Sequence, residues 1–139
     1  MATIGGSAPR SQTIMAIVPG NATAGTDQIN VIGLAPFAGR IVSVDYLPNA
    51  AITGVATNYR QMDVINKGQA GAGSTVAFRK AYDSGKNATA FAKNSIPANG
   101  AAANQVVAAG DVLVWLSDAI ASGMVDPGGL LAVVISNDA

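Results

Sequence analysis

The sequence predicts an all-β fold: a single-domain β-sandwich, jelly-roll-like in its connections. A short flexible N-terminal arm over residues 1–11 is expected to precede the sandwich of residues 12–139. Three observations carry this expectation. The chain has 14 Val and 11 Ile against 6 Leu, and β-branched side chains suit a pleated surface better than a helical turn. Its apolar segments are of strand length and are bounded by turn residues. Its 27 Ala do not build helices. They stand among Gly, Asn, Thr and Pro, as in Asn99-Gly100-Ala101-Ala102-Ala103-Asn104, where no apolar stripe of helical period can form. A chain of 139 residues has room for one domain with a core that needs no staples.

In chain order, MATIGGSAPRS is rich in Gly, Ser and Pro around one isolated apolar residue, Ile4. It reads either as a flexible terminus or as a segment that becomes ordered on a neighbour. Strands are expected at 12–18, 28–34, 40–47, 59–65, 74–82, 105–107, 111–117 and 130–136, with a weaker candidate at 88–92. Turn clusters separate them, among them Pro19-Gly20-Asn21, Pro36-Phe37-Ala38-Gly39 and Asp126-Pro127-Gly128-Gly129. Pro presets φ in such turns, Gly supplies positive φ, and Asn and Asp bond back to local amides. Alternation places Val42, Val44 and Tyr46 on one face with Ser43 and Asp45 on the other, and Met62 and Val64 opposite Gln61 and Asp63. The runs Asp111–Leu116 and Leu130–Ile135 are apolar on both faces. Such strands are either central in a sheet or covered outside by another subunit.

Composition narrows the function classes. Eight Lys plus Arg balance eight Asp, with no Glu, so the basic excess of a nucleic-acid binder is absent and no nucleic-acid partner is expected. Only 12% of residues are charged, which leaves an apolar, amide-rich surface of the kind that belongs in an assembly. No signal peptide or membrane span is expected, because Ile14 to Val18 is too short for either. The absence of Cys removes disulfides and thiolate chemistry, and the absence of His removes the usual general base and zinc ligand. The Asp residues concentrate at strand ends and turns, where backbone bonding explains them. Gly68-Gln69-Ala70-Gly71-Ala72-Gly73-Ser74-Thr75 lacks the Lys of a phosphate loop, since Gly73 stands in its place. Calcium would want several oxygen ligands, and no Asp-x-Asp-x-Asp run offers them. No catalytic residue, cofactor or metal is therefore expected, and binding and assembly are the expected functions.

The candidate contact residues follow from that expectation. Ile4 and Arg10 are the arm's only side chains with binding potential, one apolar and one a fork for carboxylates or carbonyls. Leu113, Trp115, Leu131 and Val133, in the two-sided apolar runs, are candidates for a subunit interface. Trp115 also reads as a core anchor, and the other aromatics are spread too widely to form one binding platform.

One segment resembles a stretch common in small structural proteins of tailed bacteriophages: Ala35-Pro36-Phe37-Ala38-Gly39-Arg40-Ile41-Val42-Ser43-Val44-Asp45-Tyr46-Leu47-Pro48-Asn49-Ala50-Ala51-Ile52-Thr53-Gly54. Residues 66–75, Ala108-Ala109-Gly110-Asp111-Val112-Leu113-Val114-Trp115 and Asp126-Pro127-Gly128-Gly129-Leu130-Leu131 follow in the same order. The chain thus resembles the head decoration, or cement, proteins of these phages over roughly residues 28–136. The resemblance implies a sandwich seated on the outer surface of the virion shell as a trimer and contacting the major capsid protein. It also implies assembly in the host cytoplasm, and it supplies no catalytic residues. A head-fibre or tail-associated protein is the alternative of the same class, and a carbohydrate-binding module is the alternative of a different one.

Overall fold

The computed structural model describes residues 10–137. Nine strands follow in order: β1 (Ser11–Val18), β2 (Gln28–Leu34), β3 (Gly39–Pro48), β4 (Arg60–Asn66), β5 (Thr75–Ala81), β6 (Asn94–Ile96), β7 (Val106–Val107), β8 (Val112–Ala119) and β9 (Gly129–Ser136). A 3-10 turn, Ala102–Gln105, precedes β7. Sheet one has the order β1-β9-β3-β6, with β7 also on β3; sheet two has the order β2-β8-β4-β5. All pairings between these strands are antiparallel.

The chain behaves as a ribbon folded on itself and then rolled. β1 pairs with β9, β2 with β8, β3 with β6 and β7, and β4 with β5. Rolling the ribbon lays β9 against β3 and β8 against β4. The result is the expected β-sandwich of two antiparallel sheets. β1 and β2 end their respective sheets on one side of the body, and β6 and β5 end them on the other. β1 and β2 approach so closely that a Cβ at Gly33 would meet Ile14 Cγ2 at 3.0 Å.

The eight main expected strands all form, with ends shifted by a residue or two. The weaker candidate at 88–92 does not. Ala88 makes only an isolated bridge to Ile52, and Phe91 takes φ 59°, which breaks an extended run. β6 lies just beyond it, where Ile96 alone is apolar. Val42 was expected to share a face with Val44 and Tyr46. The β3–β9 register instead shifts between Ile41 and Ser43, so Val42 is a bulge residue and is exposed, while Ile41 takes the inner position. β1 begins at Ser11, inside the span expected as an arm. Ser11 pairs with Ser136, the Arg10 N–H donates to Asn137 Oδ1 at 2.6 Å, and the Arg10 carbonyl accepts from the Asn137 N–H at 3.0 Å. Residues 1–9, Ile4 among them, lie outside the described residues.

The core lies between the sheets. Sheet one contributes Val18, Ile41, Val44, Tyr46, Leu131, Val133 and Ile135; sheet two contributes Ile32, Met62, Val64, Phe78, Leu113 and Trp115. Trp115 meets Tyr46 across the layers, ring centroids 5.3 Å apart and tilted by 43°, within the favoured range for aromatic pairs. This corrects the expected subunit interface. Leu113, Trp115, Leu131 and Val133 are each at most 1% exposed in the single chain. β8 and β9 are interior strands of their sheets, so their odd-numbered residues fill the core. Of the two readings of Trp115, the core anchor is the one the packing bears out.

One end of the sandwich is closed by a buried cation. Arg60, fully buried at the start of β4, donates through Nε to the Met124 carbonyl at 2.6 Å and through Nη1 to the Ser117 carbonyl at 3.1 Å. Its Nη2 reaches the carbonyls of Thr23 and Ala24 at 3.1 and 3.2 Å. One planar fork thus gathers the β1–β2 loop, β8 and the β8–β9 loop. Nearby, buried Asp126 accepts from the Gly128 N–H and the Tyr46 hydroxyl. Burial first, and the Asp126 charge second, push the Tyr46 phenol well above its ordinary pKa. Lysine cannot reproduce a fork of five fixed donors. Arg60→Lys should therefore lower the unfolding free energy by roughly 2–4 kcal/mol by stranding buried carbonyls, whereas Ser117→Ala should cost only about 1 kcal/mol. Urea denaturation of the two variants checks the contrast.

Candidate interaction surfaces

With the inner faces of β8 and β9 committed to the core, their outer faces set the surface chemistry. On sheet one the register aligns Ile17, Leu130 and Leu47 in one row across β1, β9 and β3. The next rows are Met15, Ala132, Asp45, Ser95 and then Thr13, Val134, Ser43. Ile17 is 85% exposed. Phe91 flanks this face, because its N–H donates to the Pro48 carbonyl and Lys93, two residues on, reaches Asp45 at 3.8 Å. Phe91 is 78% exposed and holds a left-handed backbone conformation, which is uncommon for a bulky residue.

Sheet two repeats the pattern. One row is Val31, Val114, Ile65, Val76, spanning all four strands; Leu34 and Val112 lie on one side of it and Ile29 and Leu116 on the other. Ile29, Val31 and Leu34 are each more than half exposed. The Ile29–Leu116 row ends in Asp63, which accepts from Arg79 Nε at 2.8 Å and Nη2 at 3.0 Å. This bidentate lid explains why Asp63, expected on the polar side of β4, is buried there.

The two sides of the sandwich differ. β1 and β2 carry no charged residue but five of the most exposed apolar ones: Met15, Ile17, Ile29, Val31 and Leu34. They divide between the two outer faces, Met15 and Ile17 on sheet one and Ile29, Val31 and Leu34 on sheet two. The opposite side, around β5 and β6, carries Arg79, Lys80, Lys86 and Lys93. Arg10, expected to contact a shell, sits at the β1–β9 end with its guanidinium 4.5 Å from the Phe37 ring centroid. The exposed residues of β1 and β2 were missed as contacts in the sequence because β1 is apolar on both faces. Only its register with β9 decides that Ile14, Ala16 and Val18 point inward.

Carboxylates meet at one point on the rim of sheet two. Asp27 accepts from the Ala119 N–H at 2.8 Å, beside Asp118. Burial first, then the Asp27 charge and a hydrogen bond shared with it, hold the Asp118 carboxyl above the ordinary carboxylate range. Among the described residues no group of three or more carboxylates is placed to hold a metal ion. None of their helices is long and apolar enough to cross a membrane.

No protein-family model and no curated protein sequence matches this chain. Among solved structures, it is similar to a chain in the structure of infectious bursal disease virus, Gx strain, with a TM-score of 0.44 and 16% identity over 93% of this chain and 33% of that one. It is also similar to a chain of the infectious bursal disease virus VP2 subviral particle, with a TM-score of 0.39 and 17% identity over 91% and 33%. This chain spans about a third of the length of either.

Because the folded state raises the pKa of Asp118, the native protein binds more protons than the unfolded chain between the two values. The contribution of Asp118 to stability is then fully present below its unfolded pKa and is lost as pH rises through the higher folded value. Asp118→Asn should remove this part of the pH dependence and leave the protein more stable than the parent at neutral pH. Thermal melts from pH 3 to pH 7, run as a series on both proteins, check the sign.

Proposed function

We propose that this chain is a structural virion protein without catalytic activity. In this reading it decorates and stabilises the outer surface of a bacteriophage capsid, binding the major capsid protein lattice as a trimer. The observation that carries the proposal is the pair of apolar outer sheet faces on an uncharged β1–β2 side, in a chain with very little charge elsewhere. A body with two such faces has one for its own copies and one for the shell. The resemblance of residues 28–136 to phage head decoration proteins supports the same reading.

The mechanism is mass action. A protein that binds the assembled lattice and not the free subunits shifts the equilibrium toward the lattice. Three protomers held together act by avidity, so each shell contact need be only modest. A standard interface of about 1,600 Å² in total, apolar at its centre, suffices for the trimer.

Capsids lacking the protein should release their genome at lower temperature than decorated ones. Equal release temperatures would count against a cementing role and favour a head-fibre or tail-associated one. In light scattering the protein should have the mass of three chains at micromolar concentration. Ile17→Lys and Val31→Lys change exposed positions and should shift stability by no more than about 0.5 kcal/mol. At least one of them should abolish either the trimer or shell binding. If both variants trimerise and decorate like the parent, the β1–β2 side is not the contact surface.

A further inference from the structure

We propose that the pocket at the corner between β5 and β6 is an anion site that binds a carboxylate or phosphate group through the Lys80 and Lys86 ammonium groups. The chain leaves β6 at Ile96 and turns to run beside β5, where the Pro97 carbonyl accepts from the Arg79 N–H at 3.0 Å. This crossing from one sheet to the other encloses a pocket of about 370 Å³ lined by Arg79, Lys80, Ala81, Lys86, Ser95 and Pro97. Its volume lies at the lower end of the range of ligand pockets and exceeds that of a bare ion.

The charges around this pocket are unevenly matched. The Arg79 fork is committed to Asp63 on the outer face of sheet two. Lys86 is 3.4 Å from Asp83, in a pair open to solvent on both sides and therefore weak. Lys80 pairs with no carboxylate among the described residues. Its Nζ donates to Asn94 Oδ1 at 3.0 Å, a neutral oxygen that also accepts from the Tyr82 hydroxyl at 2.6 Å. It lies 5.0 Å from the Tyr82 ring centroid. Burial, and then repulsion from Lys86, lower the Lys80 pKa.

An anion between the two ammonium groups would replace that repulsion with attraction. Ala81 and Pro97 line the pocket beside the two lysines and give an apolar wall for the atoms that carry the charged group. Lysine suits such a site as a point charge, with no demand for the planar geometry of an arginine fork. The site does not depend on the proposed role in a virion.

The test is an NMR titration of the intact protein with inorganic phosphate and with acetate, at constant ionic strength, with chloride as the reference salt. Saturable shifts at the amides of Lys80, Ala81, Lys86 and Ser95 are expected. Saturation by phosphate alone assigns a phosphate ligand, and saturation by acetate assigns a carboxylate. Lys86→Gln should weaken the response at least tenfold, as should Lys80→Gln if it folds, while Lys67→Gln should leave it unchanged. Phosphate and acetate responses that both match chloride would overturn the site. So would a Lys86→Gln variant that titrates like the parent.

Discussion

The packing of Trp115 against Tyr46 across the two sheets is the contact on which the rest of this molecule depends. Trp115 lies on β8 and Tyr46 on β3, and both belong to the fully buried set. Successive side chains on a strand alternate faces. Turning Trp115 inward therefore turns Leu113 inward with it and sends Val112, Val114 and Leu116 outward. The same argument on β9 puts Leu131, Val133 and Ile135 in the core and Leu130, Ala132 and Val134 outside. A slip of one residue in either register would exchange these sets. Core and surface are thus two readings of a single choice, and the apolar outer faces are its direct consequence.

A sandwich of this size without Cys must hold its ends by other means. Arg60 does so at one end by collecting carbonyls from three separate segments. Gln105 does similar work beside β5, where its Nε2 donates to the Ala77 and Asn99 carbonyls. Both use side-chain donors to bind loop carbonyls to those of neighbouring strands, Ser117 in β8 and Ala77 in β5. Buried carbonyls require a partner, and a buried polar side chain supplies one at fixed geometry. The result is a scaffold whose loops are tied to the core from inside, which frees the surface from carrying structural ion pairs.

The strands were legible in the sequence because β-branched runs and Gly, Pro and Asn clusters are local signals, and β2 was located to the residue. What was not legible depends on pairing between distant segments. The bulge at Val42 exists only because β9 pairs with β3 on both sides of it. β6 has three residues and one apolar side chain, too little for any periodic pattern to report. Leu113, Trp115, Leu131 and Val133 were expected at a subunit interface, Trp115 also as a core anchor, and all four are buried within the single chain. Alternation says which residues share a face, but not which face is dry. Arg10 was expected in a free arm. Its parking against Phe37 needs the proximity of residues far apart in the chain.

The unequal sides of the body bear on how copies and partners can meet. An exposed edge strand that is long, apolar and uncharged invites pairing, and proteins that stay single blunt such strands with Lys, Pro or a strong bulge. β1 has none of these within its eight residues, and β2 has only the irregularity between Val31 and Gly33. Burial of apolar area supplies affinity there but little orientation, since the contact is non-directional. Orientation has to come from charged groups at the margins, such as Asp27 and Asp118 at one end of β2 and β8. Charges placed at a rim govern register and partner choice more than strength. In a ring of three the contact is heterologous, so one patch must fit a different patch on the next copy. An apolar β1–β2 side and a basic β5–β6 side cannot be that pair, because burying Lys80 and Lys86 against uncharged side chains would cost their hydration with nothing in return. The two sides must therefore meet different surfaces, which gives the body a fixed direction in any assembly it joins.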